Sequence, residues 1–289
     1  MARGSTAGAR IKLLMSSTGV FNPRVRFAVI TDIHFGTLGY SKEGILAKLG
    51  TRAPRLLRAF VRRMNKEVKP AFVVQMGDII EDKTPNADRV HIREAIQILK
   101  GLRCPLYHTI GNHDLRNITL KTFKDLTGIK NSYYSFDAGG IRGIVLFSDD
   151  RNKKKPVISP AQCRWLARNL KGCALPTIIF LHHSLGEEVA GNVWFAHLPH
   201  RALVQERKRV RKMLAMSGDV RTVVSRHLHW NKKETFTDIP YFTIQSLVEN
   251  FRGNRTPSAS YAIVEIAAHS IKIRVEGNDS CVLKHSFKG

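Results

Sequence analysis

The chain has 289 residues, 47 Lys plus Arg against 23 Asp plus Glu, a formal net charge of +24 and 43% hydrophobic residues. That balance excludes the disordered and low-complexity classes, and no apolar run approaches the roughly 18 residues that a membrane span needs. The charge predicts attraction to polyanions, and on composition alone it points to a nucleic-acid binder.

Residues 1–31 contain no acid but carry Arg3, Arg10, Lys12, Arg24 and Arg26. Such a composition is shared by organellar transit peptides and frayed basic tails. We read residues 1–24 as a basic, flexible N-terminal tail and residues 25–289 as a single domain, the fold beginning at Asn22-Pro23. Cys104, Cys163, Cys173 and Cys281 are too few and too scattered for a disulfide scaffold, and none has zinc-site spacing. Free thiols suit a reducing, cytoplasmic setting.

Along the chain, strand-length apolar runs alternate with amphipathic stretches. Residues 25–31, 72–76, 105–110, 141–147, 177–181 and 220–225 are short and rich in β-branched or aromatic residues, which predicts buried strands. Helical spacing predicts helices over 54–64, 87–102, 159–170 and 201–216, with Ser159-Pro160 as a capped start. Residues 236–237, 241–247, 261–267 and 271–275 then follow as strands with no helix between them. The early βαβα order and the late strand run predict a mixed α/β sheet with an antiparallel portion.

The polar residues that carry chemistry appear where the apolar runs stop. Asp32-Ile33-His34 follows the first run, Gly77-Asp78 the second, Gly111-Asn112-His113-Asp114 the third, His182-His183 the fifth and Arg226-His227-Leu228-His229 the sixth. Open α/β sheets build their sites at the carboxyl ends of strands. An isolated D-x-H is expected about 0.5 times by chance in a chain with 12 Asp and 12 His, whereas G-N-H-D is expected about 0.002 times. The ordered set is more specific than any member. Read singly, Asp32, Asp78 and Asn112 also suit turns or caps, and His113 a satisfied loop imidazole.

Taken together, these motifs resemble the signature of the calcineurin-like binuclear metallophosphoesterases, in matching order from residue 32 to residue 229. The resemblance implies a four-layer sandwich of two mixed β-sheets flanked by helices, with a dimetal site at the carboxyl ends of strands. It implies Asp78 as the bridging carboxylate between two ions. Asp32, His34 and His229 would hold one, and Asn112, His182 and His227 the other. Oxygen and imidazole donors without thiolate suit Mn, Fe or Zn. The implied activity is a metal-dependent phosphoesterase, foremost a phosphodiesterase, hydrolysing P–O bonds by attack of a metal-bridging hydroxide on a small phosphoester or nucleotide. His113 would assist at the transition state, and Asp114 would orient its ring. His183 stays outside the ligand set, since the second His of such a pair is usually not a ligand.

Three further expectations follow. The family usually has Gly where this chain has Arg226, so the arginine either weakens the metals or grips a substrate phosphate. The loop over 184–200, with Trp194, Phe195, His197 and His200, either walls a pocket or packs as core. Four cations within 151–155 and five within 207–212 are either solvated faces or a phosphate-backbone track. The rival functions are accordingly a nuclease using the same site, and a scaffold whose metals Arg226 has disabled.

Overall fold

The computed structural model describes residues 24–41, 44–152, 155–250 and 252–287. All of the expected basic tail except Arg24 lies outside them, as do Lys153 and Lys154 of the first basic run. The chain forms β1 (Val25–Ile30), β2 (Leu38–Tyr40), β3 (Leu46–Leu49), α1 (Ala53–Arg63), β4 (Val73–Met76), α2 (Pro85–Leu99) and β5 (Leu106–Thr109). There follow α3 (Leu120–Thr127), β6 (Tyr134–Ala138), β7 (Ile141–Val145), α4 (Pro160–Leu170), β8 (Thr177–Phe180) and α5 (Pro199–Ala202). The last elements are α6 (Arg207–Ser217), β9 (Val220–Ser225), β10 (Lys232–Phe236), β11 (Ile239–Thr243), β12 (Tyr261–Ala267), β13 (Ser270–Glu276) and β14 (Cys281–Ser286).

Two six-stranded sheets result, in the orders β14-β13-β12-β1-β4-β5 and β10-β11-β9-β8-β7-β6. Both are mixed. β1, β4 and β5 run parallel and β12 antiparallel to β1, while β7, β8, β9 and β11 run parallel between antiparallel edges.

The layering follows from strands that are apolar on both faces. In β1, Phe27 and Val29 point one way and Ala28 and Ile30 the other, as the two-residue period requires. The Phe27 side joins Phe72, Met76, Ile178, Phe180, Val224 and Phe242 in a core between the sheets. Ala28 and Ile30 instead meet Leu57 and Phe60 of α1 and Ile92 and Ile96 of α2. Across the second sheet, Ile144, Ile179 and Val223 pack on Cys163 and Leu166 of α4 and on Val210 and Leu214 of α6. The order is helix, sheet, sheet, helix: the four-layer sandwich expected. Among the described residues no helix is long and apolar enough to cross a membrane.

Caps set the helix starts. Thr84, Thr119 and Ser159 each accept an N–H bond at the starts of α2, α3 and α4, interactions worth about 1 kcal/mol apiece. One expected helix is shorter than its sequence pattern. The chain leaves helix at Leu203, where the Ser184 N–H bonds the Ala202 carbonyl and the Val204 N–H bonds the Ser184 carbonyl, and then turns through residues 205–206, so α6 begins only at Arg207. Pairing with the loop over 184–200 overrides helical spacing there.

Candidate metal centre

The carboxyl ends of β1, β4, β5, β8 and β9 meet at one edge of the two sheets, and the turns leaving them carry the polar motifs. Asp32, His34, Asp78, Asn112, His182, His227 and His229 are all buried, and Asp32, His34 and His182 have no exposed surface. Asp32, His34 and His229 form one group whose donor atoms lie within 4.8 Å of one another, and Asp32, Asp78 and His182 form another. The Asp78 carboxylate stands between the halves, with Oδ2 3.3 Å from His182 Nε2 and 3.9 Å from His34 Nε2.

Glycines admit this crowding. A Cβ on Gly111 would lie 2.1 Å from Asp78 Oδ1, and one on Gly77, at φ +88°, would lie 2.7 Å from His182 Nδ1. Hence Gly-Asp and Gly-Asn-His-Asp, and not their alanine counterparts.

Three of the four histidines, His34, His182 and His229, are aimed by a contact on the far nitrogen. His34 Nδ1 lies 2.7 Å from Glu81 Oε2, and His229 Nδ1 lies 2.6 Å from Glu249 Oε2. His182 Nδ1 donates to the Met76 carbonyl at 3.0 Å, which leaves its Nε2 3.1 Å from Asn112 Oδ1. The carboxylate–histidine pairs have the geometry that orients metal-ligating imidazoles. Asp32 Oδ1, His34 Nε2 and His227 Nε2 are buried without a hydrogen-bond partner among the described residues. Those of Asp32 and His34 face one another with His229, and that of His227 faces the rings of His182 and His183; two such groups without a thiolate fit two first-row divalent cations.

The charges are set by burial and partners. Burial raises the Asp32 carboxyl, but Arg226 and His229 outweigh it and hold it well below its usual range. Burial lowers His182 and His229, yet the carboxylates of Asp78 and Asp32 raise both to about 9. Burial and the Lys48 charge push His34 down to about 4. Two imidazoles that keep a proton at neutral pH thus stand where cation ligands would be, answering the buried acids.

Two expectations are corrected. Asp114 does not orient His113. A short 3-10 turn over His113–Leu115 sends the neighbouring side chains apart. Fully buried, the Asp114 carboxylate accepts the backbone N–H groups of Asp78 and Ile79 at 2.9 and 2.8 Å and of Gly111 at 2.9 Å. It clamps the two glycine turns together. The group on His113 Nδ1 is the Asp82 carboxylate, while His113 Nε2 faces Lys48 Nζ at 3.3 Å.

Arg226 does not reach toward substrate. Its side chain is fully buried, with Nη2 2.6 Å and Nε 3.0 Å from Asp32 Oδ2 and Nε 2.7 Å from Thr31 Oγ1. Nor does its backbone adopt a positive φ, so this position imposes no conformational demand for glycine.

Glu81, Asp82, Glu249 and Lys48 were not singled out from sequence. Glu81 and Asp82 follow the Gly-Asp motif closely enough that their acidity was a usable signal. His183 is fully buried on the Ser148 hydroxyl at 2.8 Å, and its ring lies 4.3 Å from that of His227.

The cleft above the donors has a volume of about 960 Å³ and is walled by Lys48, His113, Arg116, Trp194, Phe195 and Arg201. The loop over 184–200 does both things its composition allowed. Trp194, Phe195 and His197 line the cleft, while Phe195 also packs on the buried Val189, Leu203 and Leu228. His200 is exposed outside it. The cations of α6 stand elsewhere: Arg207 and Arg211 pair with Glu187 at 2.9 and 2.5 Å, while Lys208, Arg209 and Lys212 face solvent.

This fold, with its donors gathered at one sheet edge, is that of the dimetal phosphatases. A dimetal phosphatase from Danio rerio superposes with a TM-score of 0.74 at 17% identity, covering 92% of this chain and all of that one. A purple acid phosphatase from yellow lupin gives a TM-score of 0.59 at 12% identity, covering 91% of this chain and 53% of that one. The calcineurin-like phosphoesterase family profile matches residues 25–231, and the chain belongs to that family. Among curated relatives, a probable cyclic nucleotide phosphodiesterase of Rhodopseudomonas palustris is 26% identical over 166 residues, 55% of this chain and 57% of that protein. The manganese-dependent ADP-ribose/CDP-alcohol diphosphatase of Homo sapiens is 30% identical over 98 residues, 32% of this chain and 29% of that protein. The matches thus span a little over half of the first relative and under a third of the second.

Proposed function

We propose that this chain is a metal-dependent hydrolase of small phosphodiesters, including diphosphate-linked nucleotides. One observation carries the reading: the Asp78 carboxylate lies between two sets of buried, mutually facing donors. Asp32, His34 and His229 would hold one ion, Asn112, His182 and His227 the other, and Asp78 both. Two bound divalent cations supply Lewis-acid charge to the phosphoryl oxygens and make water a nucleophile near neutral pH.

The remaining work falls to the chain. His113, held at Nδ1 by Asp82, turns Nε2 toward the cleft beside Lys48. From there it hydrogen-bonds a phosphoryl oxygen or hands a proton to the leaving oxygen. Arg116 and Lys48 add fixed charge on the cleft wall, and Trp194 and Phe195 offer an apolar face to a base or aryl group. A bounded cleft of this size suits a small ester better than a duplex. The names of the two curated relatives support the same substrate range.

Metal-stripped protein should be inactive on an aryl phosphodiester and regain turnover with Mn²⁺. A panel of cyclic nucleotides, diphosphate-linked nucleotides and monoesters then ranks substrates by kcat/KM. No turnover with Mn²⁺, Fe²⁺ or Zn²⁺ on any of them refutes the proposal. Strand cleavage of DNA or RNA without small-ester turnover would assign a nuclease instead.

A further inference from the structure

The environment of Arg226 has a consequence for how the centre takes up its ions. Its guanidinium is wholly buried beside a buried carboxylate, and that carboxylate is split in function. Asp32 Oδ2 accepts three donors: Arg226 Nη2 at 2.6 Å, Arg226 Nε at 3.0 Å and the Thr31 hydroxyl at 2.7 Å. Asp32 Oδ1 accepts no hydrogen bond among the described residues and lies 3.3 Å from His229 Nε2, grouped with His34 and His229. We propose that Arg226 is a built-in counter-cation for Asp32: a positioning residue that keeps this half of the centre assembled without metal, presents Oδ1 alone to an incoming ion, and lowers the affinity of that half for it. The inference rests on the two-ion reading given above.

Two physical effects oppose one another on removing Arg226, and their sizes decide the sign. Losing the fork frees one short side chain, which the Thr31 hydroxyl still restrains at Oδ2. That loosening costs at most about fivefold in binding, the scale of a single Asp rotamer. Losing the charge removes a fixed cation 2.6 Å from the carboxylate that would meet the ion, in a site without exposed surface. A unit charge paired with the same carboxylate that would meet a divalent ion, in a buried site where screening is weak, outweighs the rotamer effect. Removal therefore tightens binding. Metal-free protein should suffer instead, since the buried Asp32 carboxylate then loses the guanidinium that pairs with its Oδ2.

The experiment is an Mn²⁺ titration followed by electron paramagnetic resonance on wild type, Arg226→Gln and Arg226→Lys. Arg226→Gln should tighten one of the two dissociation constants at least tenfold and leave the other within threefold. Arg226→Lys keeps the charge and should leave both within threefold. Without metal, Arg226→Gln should melt below both other proteins, and saturating Mn²⁺ should close the gap. Unchanged or weaker Mn²⁺ binding by Arg226→Gln overturns the proposal.

Should that variant not fold, the wild-type chain still decides the matter. In ¹⁵N-arginine-labelled protein, the Arg226 Nε–H resonance, identified by its absence from Arg226→Lys, should stay slowly exchanging before and after Zn²⁺ is added. Its loss on Zn²⁺ loading would show that the arginine leaves Oδ2, and the proposal fails. A wild type that binds no Mn²⁺ removes the two-ion reading itself, whereas two ions bound with no tightening in Arg226→Gln removes only this inference.

Discussion

The carboxylate behind His229 is where the centre is most exposed to a single conservative change. Glu249 is buried, and its Oε2 lies 2.6 Å from His229 Nδ1 on the side of the ring away from Asp32. Glu249→Gln keeps an oxygen that can accept the Nδ1–H but removes the negative charge that makes Nε2 a stronger donor. Losses of outer carboxylates behind metal-bound histidines run from about 10-fold to 100-fold in metal affinity, or about 1.4 to 2.7 kcal/mol. The short contact and the burial of Glu249 place this pair toward the upper end. A second role must be separated, because Glu249 Oε1 also accepts the Trp194 indole N–H at 3.3 Å. Trp194→Phe removes that bond alone and serves as the control. The assay is competition for Mn²⁺ against a chelating dye, with turnover of an aryl phosphodiester measured at saturating metal. Glu249→Gln should lose one binding step at least tenfold while kcat at saturation falls much less, and Trp194→Phe should keep both constants. Mn²⁺ affinity within twofold of wild type for Glu249→Gln would refute the reasoning.

Asp82→Asn should lower kcat tenfold or more with Mn²⁺ stoichiometry unchanged, because it removes only the charge aligning His113; equal kcat values would show that Asp82 does not act through that ring. Gly111→Ala forces a Cβ to within 2.1 Å of Asp78 Oδ1 and 2.3 Å of Asp78 N. It should cost about 1–3 kcal/mol of stability and metal occupancy with it, checked by melting and elemental analysis, and a fully loaded, unshifted variant contradicts the packing argument. In metal-free protein His182 and His229 are raised from 6.5 to about 9. Their contribution to stability is complete below pH ~6.5 and is lost as pH rises through about 9. The melting temperature of stripped protein should therefore fall between pH 7 and 9, with less fall in excess Mn²⁺, which displaces those protons; a flat or rising profile in stripped protein disproves the assignment.

The sheet core was legible because strands buried on both faces are nearly continuous apolar runs, as in 25–31 and 177–181. β6 and β14 escaped notice for the opposite reason: each alternates half-buried with exposed residues, so little of either strand is apolar enough to stand out. The seven candidate ligands were legible because each ends or closely follows a strand, where topology alone brings them to one edge. What was not legible depends on side-chain direction and on contacts distant in sequence. Arg226 could face cleft or interior, and the choice is made by Asp32, 194 positions away. Glu249 lies beyond the end of β11 with no motif around it, and it arrives at His229 through a bridge between residues 48 and 249. Adjacency misled at Asp114, because neighbours in a tight turn point apart, while Asp82, 31 positions from His113, reaches its ring.

The backbone gives an independent reason to read this edge as functional. Asp32, His34, Asp78, His227 and His229 have φ between 40° and 71°, a left-handed conformation that is costly without glycine. Asp tolerates it best, whereas a histidine there costs about 1–3 kcal/mol. Stability alone would favour glycine at all five positions, yet glycine would remove every donor atom. The turns are therefore braced from outside: the Asp32 N–H bonds the Gly77 carbonyl at 3.2 Å, the His34 N–H bonds the Asp78 carbonyl at 3.1 Å, and Asp114 takes the N–H groups of residues 78, 79 and 111. Each strand end is thus held by the next one, so a strained side chain can leave the sheet edge already aimed at its neighbours. On this account Asp114 serves the reaction through the backbone, by holding the turns that carry Asp78 and Asn112, and its burial is a requirement of that role.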